Sequence, residues 1–367
     1  MAIEITVIDS VEDIDQWKTQ WLALFKAEAN SDLSCSYHWL ANDFKYLNKN
    51  STRYCYVAHE GNELLGAMVV ELDKIKVARF FSAPTINTGS HFVNDFAFVG
   101  DRADEVISAI ISAIQKNHKH CVWIQFDRLT KGCFQALSQW SMSCSNNVLS
   151  LNSDNAAVFD VSSGDYEKFI GRLSTKVRKN FSYYERLIER EVGPLSHQIV
   201  KPKNLEESAV LFEQFLTIEK TGWKGDKGSA ISQVEESKLF HQAMCETATN
   251  EQQMVWQVLK AGEQVIAMNM VLRRGAIQWV PKTAFNDSFR RYSPGAMALT
   301  ALLKVAVEDE ELIEVRMITC MEWVKKWKPR IDTYHGVRIF FPSLMSRLFL
   351  FITKILKKEW RLIRHSQ

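Results

Sequence analysis

A chain of 367 residues exceeds the usual single-domain range, so two domains are expected. With 46% hydrophobic and 24% charged residues it has the make-up of a globular protein, and a net charge of +2 supplies no basic excess for holding DNA. The seven cysteines are scattered without short paired spacings, which fits a reducing, cytoplasmic setting rather than a disulfide framework.

The chain opens on alternating Ile3, Ile5 and Val7 and runs into Glu12 and Asp13, without the basic and apolar segments of a signal peptide. This predicts a strand, followed by a helix around Trp17, Trp21, Leu24 and Phe25. Tyr54 to Ala58, the turn Glu60-Gly61-Asn62, and Leu64 to Leu72 read as a β-hairpin. A helix is expected from about Asp104 to Gln115, with Val106, Ile107, Ile110, Ile111 and Ile114 on its apolar face, then a strand from Cys121 to Phe126. His118, His120 and Cys121 straddle a loop and a strand with no fourth ligand in view, so no metal site is expected.

The same order returns about 200 residues later. Val255 to Leu259, the turn Ala261-Gly262-Glu263, and Val265 to Leu272 repeat the hairpin; a helix after Ser293 and a strand from Ile313 to Ile318 follow. The two copies differ in chemistry. The first helix is entered through acidic Asp101, Asp104 and Glu105, whereas the second is entered through Arg290-Arg291-Tyr292-Ser293-Pro294-Gly295-Ala296. Ser293 as N-cap, Pro294 in the first turn and Gly295 beside it predict a helix start whose amides and dipole suit a phosphate. Ahead of it, Ile277 to Lys282 reads as a strand made irregular by Pro281. Only the second copy is therefore expected to bind an anionic cofactor.

Ser- and Asn-rich segments at 145–155 and 162–165 place the domain boundary near residue 163, giving domains at 1–162 and 163–340 and a tail at 341–367. A helix from about Ser174 to Glu191 opens the second domain. Here several motifs stand in order: Ser174 to Asn180, Glu219 to Gly225 with Gly228 to Ile231, Ala284 to Asp287, and Tyr292 to Gly295. Together they resemble the CelD-type, cellulose-biosynthesis-related acetyltransferases of the GNAT superfamily, and the double architecture is similar to that of Fem-type aminoacyl transferases. The resemblance is clearest over roughly residues 165–330.

The resemblance implies an α/β (α+β) fold of two tandem GNAT-like domains, each a mixed twisted sheet flanked by helices, with the first degenerate. It implies acetyl-CoA or another acyl-CoA as cosubstrate and no metal. Tyr292, Ser293, Pro294, Gly295 and Ala296, with Arg290 and Arg291, would hold the pyrophosphate, and Trp279, Val280 and Lys282 would lie beside the thioester. Arg178, Lys179, Trp223, Lys224 and Lys325 are the acceptor-side candidates, Trp223 sitting in a glycine-rich loop that lacks the Walker spacing. The segment after the fifth strand departs from the family: Val324 stands where a tyrosine is usual, and no acid occurs in Met317 to Cys320.

Transfer of an acyl group to an amine asks for two positioned reactants, a proton acceptor and donors for the oxyanion. Glu219 is the first candidate base and Asp287 the second, with Tyr334 as the acid for the departing thiolate. The acceptor is expected to be a small-molecule or glycan-type amine, with tRNA entering only if the donor were of the Fem type. A third alternative is a non-catalytic scaffold.

The tail from Ser343 to Arg364 predicts a helix with Arg347, Lys354, Lys358, Arg361 and His365 on one stripe, and Leu348, Phe349, Ile352, Ile355, Leu356 and Ile363 largely opposite. Its uncharged run is far short of the roughly 20 residues that span a bilayer. The pattern suits either an anionic membrane surface, such as the inner face of the cell membrane, or a protein surface.

Overall fold

The computed structural model describes residues 2–27, 32–47, 51–78, 81–88, 96–99, 102–143 and 147–352. The chain divides into two compact units, Met1–Asp154 with Thr333–Gln367, and Asn155–Asp332.

In the first unit β1 (Glu4–Ile8), α1 (Val11–Asp15), α2 (Lys18–Ala27) and α3 (Tyr37–Tyr46) precede the hairpin of β2 (Thr52–Glu60) and β3 (Glu63–Ala78). Then come β4 (Phe81–Thr88), β5 (Phe96–Val99), α4 (Ala103–Asn117), β6 (Trp123–Leu129), α5 (Lys131–Ser143) and β7 (Asn147–Ser150). The sheet runs β1-β2-β3-β4-β6, with β5 also on β3. All these pairs are antiparallel except β4 with β6, where Ile86 faces Ile124.

The expected apolar face of α4 is real: Val106, Ile107, Ile110, Ile111 and Ile114 are all fully buried. Five β-branched residues make a poor helix by propensity, so it is burial that holds α4, at roughly 1.5–3 kcal/mol per side chain. His118, just beyond it, is within hydrogen-bond distance of the Tyr56 hydroxyl at 3.0 Å and packs in the core.

The second unit begins with β8 (Asp154–Asp160), α6 (Tyr166–Gly171), α7 (Thr175–Glu191) and β9 (Leu195–Val200). It continues with α8 (Leu205–Lys220), α9 (Trp223–Asp226) and α10 (Glu235–Asn250). The hairpin of β10 (Met254–Ala261) and β11 (Gln264–Arg274), then β12 (Ile277–Phe285), a 3-10 turn at Asp287–Tyr292, α11 (Pro294–Glu308) and β13 (Glu314–Met317) complete it. Its sheet runs β9-β10-β11-β12-β13-β8, again antiparallel except for one pair, β12 with β13. Helix α8 packs on β11 and β12, while α11 contacts the same sheet through Leu299, Leu302 and Leu303.

The repeat read in the sequence extends further than the hairpins. Gly61 and Gly262 turn them with φ of 56° and 57°, values that a side chain rarely adopts. Both hairpins slip register at one place near the turn, at Ala58/His59 and at Leu259/Lys260. Each copy then adds an antiparallel third strand, a 15-residue helix and a parallel fourth strand.

The units differ from the expected boundaries at both ends. β8 lies ahead of residue 163 yet pairs with β13, from Glu314↔Asp160 to Met317↔Ala157, and so completes the second unit's sheet. β14 (Arg330–Phe340), placed by the sequence in the second domain, pairs with β6 and β7, so its residues from Thr333 onward belong to the first unit. Strand pairing, a non-local property, decides both assignments.

Within the tail, residues 344–352 are helical. Ser343 begins the helix by accepting the Ser346 amide at 3.1 Å, and Phe349 and Leu350 bury against Trp123 and Phe340. The rest of the expected basic stripe, from Lys354 to His365, lies outside the described residues.

Candidate active site

Pro281 does what its lack of an amide N–H demands. Leu272 pairs with Trp279 and Met270 with Lys282, so Val280 and Pro281 together oppose Val271 in a β-bulge. Val271 and Val280 share the apolar cluster that carries the α11 leucines. Lys282, opposite Met270, therefore falls on the other face, the one α8 covers, because the extra residue resets the alternation.

The bulge also marks where β12 parts from β13. Their parallel pairing runs from Ile277↔Glu314 to Val280↔Met317 and stops there, while β12 continues to Phe285. Among the described residues no strand pairs with that side of β12 from Pro281 onward. An open edge of this kind can receive an extended, amide-bearing ligand by strand-like hydrogen bonding.

Directly downstream, Ser293 adopts a left-handed conformation with φ 56° and ψ 50°. Its side chain makes no capping bond, so the expected serine N-cap is not formed; the position serves through its backbone. Helical residues followed by a left-handed one turn successive amides into a concavity suited to anions. The Ala296 and Met297 amides close on the Ser293 carbonyl at 3.0 and 3.2 Å, and proline has no N–H, which leaves Gly295 as the outward donor of the first turn. A left-handed serine costs energy, and such strain concentrates at functional turns.

The turn is fixed from two sides. Glu191, the last residue of α7, accepts from the Tyr292 hydroxyl at 3.0 Å and from Arg291 at 2.6 Å. Hydrogen bonds from Arg190 and then Tyr292 hold its carboxyl below the ordinary range. Beneath the helix, the buried Gln257 donates its amide to the Ala298 carbonyl at 2.7 Å and accepts from Asn269. These two polar residues inside the apolar strands β10 and β11 escaped the sequence reading; a lone amide at a core position was the available signal.

The remaining candidates fall as follows. Tyr292 and Pro294 are buried, Ala296 is half-buried, and Arg290 and Arg291 are exposed, Arg290 pairing with Asp287 at 2.8 Å. Trp279 and Val280 are buried, so only their backbone is available to a ligand, and Arg316 stacks over the Trp279 ring at 5.1 Å. Arg178 and Lys179 project from α7 into solvent, and Lys325 pairs with Glu322. Val324, in the usual tyrosine position, is wholly buried beside Trp327 and fills core instead. Trp223 opens α9, and its side chain lies outside what is described.

Two of the three catalytic candidates stand in other roles. The Tyr334 hydroxyl, in the first unit, donates to Asp32 at 2.5 Å, and burial pushes the phenol far above its ordinary range. Glu219 is buried at the end of α8, with Oε1 taken by Lys224 at 2.6 Å and Oε2 by the Ile231 amide at 2.8 Å. A carboxylate with both oxygens engaged is an anchor for the loop from Trp223 to Ile231. Asp287 keeps a third of its side chain exposed, and its backbone amide donates to the Thr221 hydroxyl at 3.1 Å.

Gly225 in that loop has no freedom to be replaced, since a Cβ there would lie 1.9 Å from the Lys220 carbonyl oxygen. Gly225→Ala is therefore expected to cost about 1–3 kcal/mol and to displace Lys224, visible as a lowered melting temperature.

Residues 175–328 match the family model described as the acetyltransferase (GNAT) domain. No curated protein sequence matches the chain. Among solved structures, a conserved protein of unknown function from Bacteroides thetaiotaomicron is similar at a TM-score of 0.53 and 10% identity, covering 92% of this chain and 100% of that one. The C-terminal domain of a putative lysylphosphatidylglycerol synthetase from Agrobacterium fabrum gives 0.50 and 9%, covering 95% and 98%. A tandem GNAT protein from the clavulanic acid biosynthesis pathway gives 0.50 and 11%, covering 93% and 99%. At such identities these likenesses establish the fold.

Proposed function

We propose that this acyltransferase carries an acyl group, acetyl in the first instance, from acyl-CoA directly to an amine, a reading supported by the match of residues 175–328 to the acetyltransferase (GNAT) domain. The acceptor in this reading is a sugar, an amino acid or a cell-envelope intermediate, in keeping with the resemblance to the CelD type. The observation that carries the proposal is the parting of β12 from β13 at Val280, immediately ahead of the left-handed Ser293 turn. The open edge takes the amide-bearing arm of CoA, and the Gly295 amide with Arg290 and Arg291 takes the pyrophosphate. Direct attack then draws most of its rate from placing amine and thioester together, with the part-exposed Asp287, paired with Arg290, as the carboxylate for the released proton.

A near-neutral net charge favours CoA over an aminoacyl-tRNA donor, whose phosphates would ask for a wide basic face. The first unit is read as a non-binding copy. Its helix entry is acidic, with Glu105 held by Arg102 at 2.6 Å, while Asp101 lies outside the described residues.

Calorimetry with acetyl-CoA, longer acyl-CoAs and free CoA tests the assignment, with one equivalent per chain expected. Replacing Arg290 and Arg291 by alanine should weaken CoA binding by about 1.5–3 kcal/mol per lost charge-assisted contact. Unchanged affinity would put the pyrophosphate elsewhere, and two equivalents would show a working first copy.

No helix among the described residues is long and apolar enough to cross a membrane. For the tail we propose peripheral attachment to an anionic bilayer, on grounds taken up in the Discussion.

A further inference from the structure

On the face of the second unit's sheet that α11 covers, three cross-strand rows lie side by side across β10, β11 and β12. Val255, Val271 and Val280 form one row, within the apolar cluster of the α11 leucines. Leu259, Ala267 and Phe285 form another, within the cluster of Met297 and Ala298. The row between them is polar: Gln257 stands opposite Asn269, and Asn269 stands opposite Thr283.

Its two inner members are buried and bonded, Gln257 donating to the Ala298 carbonyl at 2.7 Å and accepting from Asn269. Apolar residues of the same size would hold those two positions about as well, because the net gain from a buried hydrogen bond is small once desolvation is counted. Stability alone therefore gives no reason for a polar row between two apolar ones. The outer member is different. Thr283 is partly buried, its hydroxyl makes no hydrogen bond among the described residues, and it lies beyond Val280, where β13 has left the edge of β12.

Two residues further along the same face, the Phe285 ring lies against Gly295, where a Cβ would meet it at 3.5 Å. Thr283 is thus set back from the Ser293 turn by roughly 7 Å along the strand. The pantetheine arm of CoA leaves the pyrophosphate with a hydroxyl and then an amide within a few bonds. An acyl-CoA laid along the open edge from that turn carries both groups past Thr283.

We propose that the Thr283 hydroxyl binds the pantetheine arm, hydrogen-bonding its hydroxyl or the adjacent amide and so completing the polar row. This rests on the acyltransferase reading above and adds a side-chain contact to the backbone edge. Edge amides receive any extended chain that carries amides, whereas a lone hydroxyl between a valine row and a phenylalanine row asks for a polar group at one point. Thr283 is then a specificity-determining residue for the donor.

The test is calorimetry on the full-length protein with acetyl-CoA and with ADP, which keeps the pyrophosphate and lacks the arm. Thr283→Val keeps the shape of the side chain and removes the hydroxyl. It is expected to weaken acetyl-CoA binding roughly three- to tenfold, the worth of one neutral hydrogen bond, and to leave ADP binding unchanged. Thr283→Ser should recover most of the loss. In turnover the KM for acetyl-CoA should rise while kcat stays near the native value, because the arm is held alike in ground and transition states. Acetyl-CoA bound equally well by the native and Thr283→Val proteins would overturn the proposal. So would equal weakening of acetyl-CoA and ADP, which would mean that the substitution had disturbed the turn instead. If the native protein does not bind acetyl-CoA at all, it is the acyltransferase reading that falls, and the contact with it.

Discussion

Glu219→Ala is expected to destabilise the second unit by roughly 3–5 kcal/mol, the usual cost of removing one partner from a buried ion pair. Three losses combine. Lys224, only 25% exposed, loses the carboxylate 2.6 Å away; the Ile231 amide loses its acceptor; and the repulsion between Lys224 and Lys282 loses the opposing pull of Glu219. At about 2–4 °C per kcal/mol for a unit of this size, the melting temperature should fall by roughly 10 °C. Glu219→Gln separates the roles further. An amide still accepts from Ile231 and fills the site, so part of the stability should return, while Lys224 remains unpaired. Had Glu219 been the catalytic base, Glu219→Gln would instead melt like the native protein and lose turnover. That outcome would reverse the assignment made from its hydrogen bonds.

The contrast shows what a sequence discloses and what it withholds. The two hairpins, α4, α7 and α11 were legible because their apolar residues recur at 2 or 3.6 and their turns need glycine or a cap. Helix α7 opens where expected, with the Ser174 hydroxyl accepting the Val177 amide. The irregularity at Pro281 was legible for the same kind of reason, since proline cannot donate to a ladder.

What failed was non-local. The strand Phe81–Thr88 carries Pro84 and several polar residues and becomes β4 only through β3 and β6 on either side. β8 and β14 were assigned by sequence distance, whereas their partners lie far away along the chain. Glu219 and Tyr334 could be recognised as polar residues near a motif, but nothing local reveals that Lys224 and Asp32 occupy them. Ser293 shows the subtler failure. Its type announced a helix start correctly, and the backbone then used the residue in a conformation in which its hydroxyl caps nothing.

Truncation after Ile352 is expected to weaken binding to anionic vesicles severely while leaving the melting temperature intact. The helix at 344–352 has two apolar sides. One holds it to the first unit, where the buried Ser346 hydroxyl donates to the Val122 carbonyl at 2.7 Å and Phe349 meets Trp123 edge-on at 5.6 Å. The other presents Leu344, Leu348 and Phe351 to solvent at 84%, 54% and 63% exposure, spaced so that they share a face. The sequence that follows, up to Gln367, brings Lys354, Lys357, Lys358, Arg361 and Arg364 against the single acid Glu359. Apolar residues outward, continued by a basic segment, are what an anionic bilayer takes up, by insertion and attraction together. At about 1 kcal/mol per basic residue near the surface, loss of the segment beyond Ile352 should weaken vesicle binding on the order of a thousandfold. The same affinity should fall with added salt, and Leu344→Ser with Phe351→Ser should reduce it without altering the salt dependence. Truncation after Pro342 instead removes Phe349 and Leu350 from Trp123 and Phe340, so it should lower the melting temperature as well. Full-length protein that fails to float with anionic vesicles at low salt would leave the exposed face to a protein partner.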